Sequence, residues 1–281
     1  MTEFVKRTLS GAVFVAVVVG SILWSSYAFD ALFLLFCVLA VDEYHRLVHS
    51  PRALRIYSFV ATIFLWAAVI CFLWQPFALT FAFLYLLFIV FALLDEIWNT
   101  SDKPLHNWGN LLISQLMIAL PMATLGVLYH LDKWLLLALF VLIWINDTGA
   151  YCVGSSTAKL PKGNHKMAPQ ISPKKSWEGL IGGFVFAMAA ALLLHHFGWF
   201  SSIASPATGV LVPCLFAILV STFGTMGDLM ESLLKRSIGV KDSGRFLPGH
   251  GGVLDRFDSV LLAGPIITAF CWICYLIAPL F

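Results

Sequence analysis

The sequence predicts an all-α integral membrane protein, a polytopic helical bundle with about nine transmembrane helices. Of its 281 residues, 60% are hydrophobic and only 11% are charged, and the mean hydropathy is +0.90. Apolar runs of about 20 residues recur along the chain, and a helix of that length spans a bilayer. This balance excludes a water-soluble globular domain. We therefore predict a single integral membrane domain over residues 1–281.

Nine apolar segments are long enough to be spans. They lie near residues 9–29, 28–46, 57–75, 77–94, 110–130, 133–153, 179–199, 208–227 and 258–281. The first two are predicted to share a tight turn at Phe29-Asp30, and eight spans is the alternative count. Residues 1–130 hold the N-terminal spans, and residues 131–281 hold the spans and loops that carry the polar motifs.

The basic residues predict the orientation, because lysine and arginine concentrate on the cytoplasmic side of a membrane. With nine alternating spans and a cytoplasmic N-terminus, every lysine and arginine except Lys133 falls in a cytoplasmic segment. Two of these segments, residues 154–178 and 228–257, are long and rich in polar residues. We therefore expect a polar cavity that faces the cytoplasm.

The first polar motif lies where the eighth span reaches the cytoplasm. Asp228, Glu231, Ser232 and Lys235 follow a spacing that places them on one helix face. Asp228 is a candidate metal ligand, while Lys235 is a candidate for contact with a phosphate. The alternative is a solvated helix end with an internal ion pair.

The second motif is a glycine-rich stretch that follows Lys241 and Asp242. Its glycines surround His250 and include Gly251 and Gly252. Residues without side chains let backbone N–H groups approach an anion closely, which favours a phosphate-binding nest. A flexible turn would have a similar sequence.

The third motif enters the last span. Asp255 and Asp258 are three residues apart and share a helix face, where carboxylates can hold Mg²⁺ that keeps water and phosphate oxygens as further ligands. A salt bridge to Arg256 or Lys235 is the alternative. Because Asp228 and Asp255 flank the polar segment, we expect the segment to fold back and bring its two ends together.

Two further groups of charges lie close to apolar segments. Asp147 is an ionisable residue inside the sixth span, where a functional role is the default hypothesis. Lys174 and Lys175 precede Trp177, an aromatic anchor at the membrane interface. These lysines are expected to contact a lipid headgroup or a nucleotide phosphate, or else only to fix the topology.

The polar segment resembles a known family signature. It reads Ser232-x-x-Lys235-Arg236-x4-Lys241-Asp242-x-Gly244-x2-Leu247-Pro248-x-His250-Gly251-Gly252-x2-Asp255-Arg256-x-Asp258. This pattern resembles the signature of phosphatidate cytidylyltransferases, also called CDP-diacylglycerol synthases. Residues 146–151 and 172–179 resemble other segments of that family.

The resemblance implies a membrane enzyme with a cytoplasm-facing catalytic cavity. It implies conversion of CTP and phosphatidic acid into CDP-diacylglycerol and pyrophosphate with Mg²⁺, at the inner membrane in bacteria. We expect two metal positions, and the sequence does not identify the cation at the second one. Membrane lipids are further expected partners, no nucleic acid is expected, and a homodimer is left open.

Candidate roles follow for individual residues. The expected principal metal ligands are Asp228 and Asp255, with Asp258 and Asp242 as secondary candidates. The expected catalytic residues are Asp228, Lys235, Arg236, Lys241, Asp242, His250, Asp255, Arg256 and Asp258. The expected substrate-binding residues are Asp147, Lys174, Lys175, Ser232, Gly251 and Gly252. Two other functions stay open, a transferase of the polyprenyl-phosphate sugar-phosphate type and an ion-coupled transporter.

Overall fold

The computed structural model describes residues 3–72, 75–99, 102–161, 163–204, 208–244, 246 and 251–277. It confirms the predicted all-α fold. The elements in chain order are α1 (Glu3–Trp24), α2 (Ser26–Leu47), α3 (Arg52–Ile70), α4 (Gln75–Asn99), α5 (Pro104–Ile113), a π-helical turn (Ser114–Ala119), α6 (Leu120–Leu131), α7 (Lys133–Thr157), β1 (Lys166–Ala168), β2 (Ser172–Ser176), α8 (Trp177–His196), α9 (Leu211–Ile238), α10 (Leu254–Phe257) and α11 (Val260–Ile277).

The helices follow the nine predicted apolar segments, and α5, the π-helical turn and α6 together form the fifth. Within the described residues, seven helices are long and apolar enough to cross a membrane. The described apolar part of α1 is shorter, Thr8–Trp24, and α2 carries the acidic residues Asp30, Asp42 and Glu43. A polytopic membrane fold is therefore confirmed, whereas the number of crossings and their orientation stay predictions.

The predicted turn at Phe29-Asp30 is wrong. Helix α1 ends at Trp24, and Ser25 caps α2 by accepting a hydrogen bond from the N–H of Ala28 (3.2 Å). Phe29 and Asp30 lie buried inside α2. Serine is a favoured N-cap residue because its hydroxyl satisfies an otherwise unpaired N–H at the helix start. The boundary therefore follows the cap rather than the acidic residue.

The chain forms two compact units. The first comprises Met1–Val127 and Val240–Phe257, and the second comprises Leu128–Gly239 and Asp258–Phe281. In the first unit, the ring of Phe257 packs 5.4 Å from that of Phe36 and 6.0 Å from that of Phe33. These aromatic contacts attach α10 to α2, so the C-terminal segment 240–257 is part of the N-terminal core.

Close helix packing shapes the second unit. A side chain at Gly183 would meet the backbone oxygen of Asn146 at 2.7 Å, and one at Gly182 would collide with Val153. At Gly227, it would lie 2.6 Å from the backbone oxygen of Asp258. Glycine at these positions lets α8 approach α7 and lets α9 approach the start of the last span.

A short β-hairpin in the second unit was not predicted. Strands β1 and β2 pair antiparallel, with Lys166 opposite Ser176. The hydroxyl of Ser176 then caps α8 by accepting the N–H of Gly179 (3.1 Å). The hairpin thus leads directly into α8 and fixes the backbone of Lys174 and Lys175.

Candidate active site

A cavity of about 330 Å³ lies among the hairpin, α7, α8 and α9 of the second unit. We call it the α7–α8–α9 cavity. Its lining residues are Asp147, Ala150, Tyr151, Met167, Lys174, Lys175, Ser176, Gly179, Leu180, Thr225 and Asp228. Four predicted site residues therefore meet here, two carboxylates and two lysines, which come from α7, β2 and α9.

A salt bridge in this cavity joins Lys175 to Asp228. The Lys175 ammonium lies 2.7 Å from Oδ2 of Asp228 and donates a hydrogen bond to the backbone oxygen of Thr225 (3.2 Å). The other carboxylate oxygen of Asp228 accepts a hydrogen bond from Ser232 (3.2 Å). Both charged side chains keep partial exposure, 22% for Lys175 and 31% for Asp228. The ion pair is therefore accessible to a ligand in the cavity.

Asp147 lies on the same cavity and interacts electrostatically with both Asp228 and Lys175. Two carboxylates thus share the field of one ammonium group, while the exposed Lys174 adds a second positive charge at the wall. Closely placed groups of both signs suit a metal–phosphate complex, because carboxylates bind the cation and lysines bind the anion.

The residues present fit a magnesium ion. In the described parts of the chain, no group of three or more acidic, histidine or cysteine side chains is assembled. Mg²⁺ does not require one, because it is commonly held by one or two carboxylates together with water and substrate phosphates. Asp147 and Asp228 are such a pair in an open cavity.

The predicted metal ligands divide between the two units. Asp258 belongs to the second unit, where its Oδ1 accepts the N–H of Ser259 (2.6 Å). Its backbone closely approaches Gly227, which directly precedes Asp228. Asp255 belongs to the first unit. Joint binding of one metal by Asp228 and Asp255 stays a prediction.

Lys235 forms an ion pair with Glu231 within α9. The Lys235 ammonium lies 2.5 Å from Oε2 of Glu231, and both side chains are almost fully buried. The internal ion pair considered as an alternative is therefore present, although it is buried rather than solvated. Its neighbour Arg236 is exposed. Phosphate contact by either residue stays a prediction.

We call residues 240–257 the signature segment. Within it, the carboxylate of Asp255 accepts hydrogen bonds from two backbone N–H groups of the same segment. Asp255 is only 7% exposed. Its Oδ2 accepts hydrogen bonds from the N–H groups of Ser243 (2.9 Å) and Gly252 (2.8 Å). Gly251 has a φ of +82°, and a side chain there would collide with the Asp255 carboxylate. Glycine is needed at this position for both reasons.

The other residues of the signature segment have different surroundings. Lys241 and Asp242 are exposed, whereas Arg256 is half-buried. His250 lies outside the described residues. The described N–H group of Gly252 is directed to a protein carboxylate, and the phosphate nest at Gly251 and Gly252 stays a prediction.

Glu43, near the C-terminal end of α2, also contacts the signature segment and was missed by the sequence analysis. Its carboxylate accepts the N–H groups of Val253 (2.9 Å) and Leu254 (3.0 Å). The sequence did contain a signal, because Asp42 and Glu43 end an apolar segment in which acidic residues are costly.

Comparison with known proteins identifies the family. The chain matches the cytidylyltransferase family over residues 5–274. The chain belongs to this family. A phosphatidate cytidylyltransferase of Haemophilus influenzae is 42% identical over 143 residues, which are 50% of this chain and 46% of that protein. One of Staphylococcus haemolyticus is 43% identical over 129 residues, which are 46% of this chain and 45% of that protein.

These alignments span about half the length of the curated relatives. The family match itself is far longer and includes every element from α1 to α11 at least in part. Membership of the cytidylyltransferase family therefore applies to both compact units, including α2 with Glu43 and the signature segment.

Proposed function

We propose that this protein is a CTP:phosphatidate cytidylyltransferase that forms CDP-diacylglycerol and pyrophosphate in phospholipid biosynthesis. The observation that carries the proposal is the α7–α8–α9 cavity, in which Lys174, Lys175, Asp147 and Asp228 meet among apolar helices. Family membership and the names of the bacterial relatives support the same reaction.

The reaction joins two polyanions. An oxygen of the phosphatidate phosphate attacks the α-phosphorus of CTP, and the bond to the β-phosphate breaks, so pyrophosphate leaves in line. Such a transfer depends mainly on positioning and on neutralisation of charge. Lysines at the wall of a partly enclosed cavity meet both needs, and Lys175 is additionally held in place by Asp228 and Thr225.

Magnesium completes this proposal. Asp147 and Asp228 would hold it in the second unit, and Asp255 and Asp258 stay as predicted further ligands. When bound, Mg²⁺ neutralises phosphate oxygens and orients substrate and leaving group. Lys235, Arg236, Lys241 and Arg256 are proposed to contact the triphosphate and the departing pyrophosphate.

Exposed side chains suited to lipid occur at Tyr151, which lines the cavity, and at Trp177 and Ile181, which follow the lining residues Ser176 and Leu180 in sequence. Tyr151, Trp177 and Ile181 are 75%, 53% and 63% exposed, respectively. Large apolar groups in such exposure are typical of a surface that faces acyl chains or the membrane interface. We propose that phosphatidic acid keeps its acyl chains in the bilayer, at a bacterial inner membrane with the cavity open to the cytoplasm.

The direct test uses the purified full chain in nanodiscs with phosphatidic acid and radiolabelled CTP. We expect labelled CDP-diacylglycerol and an equimolar amount of pyrophosphate. Chelation of divalent cations should reduce the product to background, and added Mg²⁺ should restore it. Label transfer from a nucleotide sugar to polyprenyl phosphate, or substrate flux across sealed vesicles without chemical turnover, would overturn the proposal.

Replacement of Lys235 by alanine tests its proposed contact with CTP. We expect the KM for CTP to rise about 10- to 100-fold, since one charge-assisted contact is lost. The melting temperature in detergent should also fall, because Glu231 loses its buried partner.

A double variant separates these two effects. Lys235→Met with Glu231→Leu removes the buried ion pair completely and should recover most of the melting temperature. The high KM should persist if Lys235 contacts the nucleotide. A double variant with wild-type KM and kcat would show that Lys235 acts only in folding.

A further inference from the structure

We propose that Glu43 is a positioning residue that holds the signature segment, and through it Asp255, in the geometry needed for catalysis. This inference rests on the proposed cytidylyltransferase function. Glu43 and the signature segment both belong to the first unit. They are separated by about 200 residues in sequence, so the contact is a tertiary one.

Three donors of the signature segment surround the Glu43 carboxylate. Its Oε1 accepts the N–H of Val253 (2.9 Å), and its Oε2 accepts the N–H of Leu254 (3.0 Å) and the hydroxyl of Ser243 (3.2 Å). Hydrogen bonds to an ionised acceptor are about twice as strong as neutral ones. Both oxygens of Glu43 are therefore engaged by the same loop.

The fit between Glu43 and the loop leaves no room for nearby side chains. A side chain at Gly244 would lie 2.6 Å from Oε1 of Glu43, and one at Gly252 would collide with Oε2. Two of the signature glycines thus permit the carboxylate to reach the backbone. The contact with Glu43 is therefore sufficient to explain why these two positions are glycine, and no bound ligand is needed for that explanation.

Ser243 connects Glu43 to Asp255. Its hydroxyl donates to Glu43, while its N–H donates to Oδ2 of Asp255 (2.9 Å). Val253 and Leu254, which donate to Glu43, immediately precede Asp255. The Glu43 carboxylate therefore fixes the backbone on both sides of the Asp255 contact, and a change at Glu43 is transmitted to the orientation of Asp255.

The end of α2 is itself held firmly. His45 is fully buried, and its ring nitrogens contact the hydroxyls of Ser50 and Ser58, each at 2.8 Å. Asp42 forms ion pairs with Arg46 (2.6 Å) and Arg55. These contacts attach α2 to α3, so Glu43 projects from a rigid support.

Glu43→Gln is the sharpest variant because it preserves shape and changes only the chemistry. Glutamine keeps one acceptor oxygen. Its NH₂ group replaces the other oxygen and is itself a donor, so it cannot accept the N–H or O–H hydrogen bonds that this oxygen accepts in the wild-type protein. We expect the amides of Val253 and Leu254 to exchange with deuterium about tenfold faster or more. This measurement is made without substrate or metal.

Kinetics supply the second measurement. Residues that orient a metal-binding group typically alter metal affinity or activity by about 10- to 100-fold. We expect the Mg²⁺ concentration for half-maximal CDP-diacylglycerol formation to rise by that factor in Glu43→Gln, with the KM for phosphatidic acid unchanged. High Mg²⁺ should restore much of kcat, an effect that general destabilisation would not produce.

Glu96→Gln is the matched control in the same unit. Glu96 accepts a hydrogen bond from the side chain of Asn107 (2.7 Å), which a glutamine oxygen can also accept. It should leave amide exchange at Val253 and Leu254 and the Mg²⁺ requirement unchanged. If Glu43→Gln does not fold, Glu43→Asp is measured instead, with smaller changes of the same direction expected.

The outcomes distinguish this inference from the proposed function. Unchanged amide exchange and an unchanged Mg²⁺ requirement in the folded Glu43 variant would overturn the role of Glu43. Faster exchange without any change in the kinetics would also overturn it, because Glu43 would then be only structural. Absence of cytidylyl transfer by the wild-type protein would instead refute the proposed function, while amide exchange would still report on the Glu43 contact.

Discussion

Asp228→Asn should lower CDP-diacylglycerol formation by about a thousandfold. The variant removes a negative charge that the Lys175 ammonium contacts at 2.7 Å and that is proposed to bind magnesium. Asparagine has nearly the same shape, so α9 should remain intact and the loss should be chemical. The rate is measured with labelled CTP in nanodiscs, at saturating phosphatidic acid and over a range of Mg²⁺ concentrations.

Asp132→Asn is the control for this experiment. Asp132 caps α7 by accepting the N–H of Trp134 (2.8 Å), and asparagine caps helices about as well as aspartate. It makes the same chemical change in the same unit and should keep near-wild-type turnover. An inserted, folded Asp228→Asn protein with near-wild-type turnover would refute the proposed role of Asp228.

Asp255→Asn should also lower CDP-diacylglycerol formation, by about a hundredfold or more. Asparagine can still offer one oxygen to the N–H groups of Ser243 and Gly252, but the negative charge is gone. The proposed metal-binding carboxylate is then absent, whereas in Glu43→Gln it is present but shifted in position. Unlike in the Glu43→Gln variant, raising the Mg²⁺ concentration should not restore activity.

The exposed Asp102 provides the control for Asp255, because Asp102→Asn makes the same change in the same unit. It should leave the rate and melting temperature unchanged. Full recovery of Asp255→Asn activity at high Mg²⁺ would contradict direct ligation and indicate an indirect role for Asp255.

The apolar pattern predicted the helices well because each span must satisfy its backbone internally. It did not locate helix ends that depend on side-chain caps, as Ser25 illustrates. The hairpin was missed for another reason. Strand β2 contains Pro173 and two lysines rather than an alternating apolar pattern, so its pairing with β1 depends on local context.

The sequence identified most residues of the candidate site, but it did not predict how they are arranged in space. Asp147, Lys175 and Asp228 are charges near apolar segments, and such charges are costly without a function. Gly182 and Gly183 indicate close helix packing, but a single sequence does not specify that α7 is the helix that packs there and that these charges then line one cavity. Glu43 was missed because its donors lie about 200 residues away and its position resembles an ordinary helix end.

The first unit is built from two segments that are far apart in sequence, and this constrains the order in which it can assemble during translation. Val240–Phe257 completes a unit whose other residues end at Val127. A nascent chain therefore exposes the Glu43 carboxylate long before Val253 and Leu254 leave the ribosome. Until then, Glu43 lacks the donors from Ser243, Val253 and Leu254 that contact it in the folded unit. The Glu43 contacts of the first unit can form only after the chain has been synthesised past Leu254.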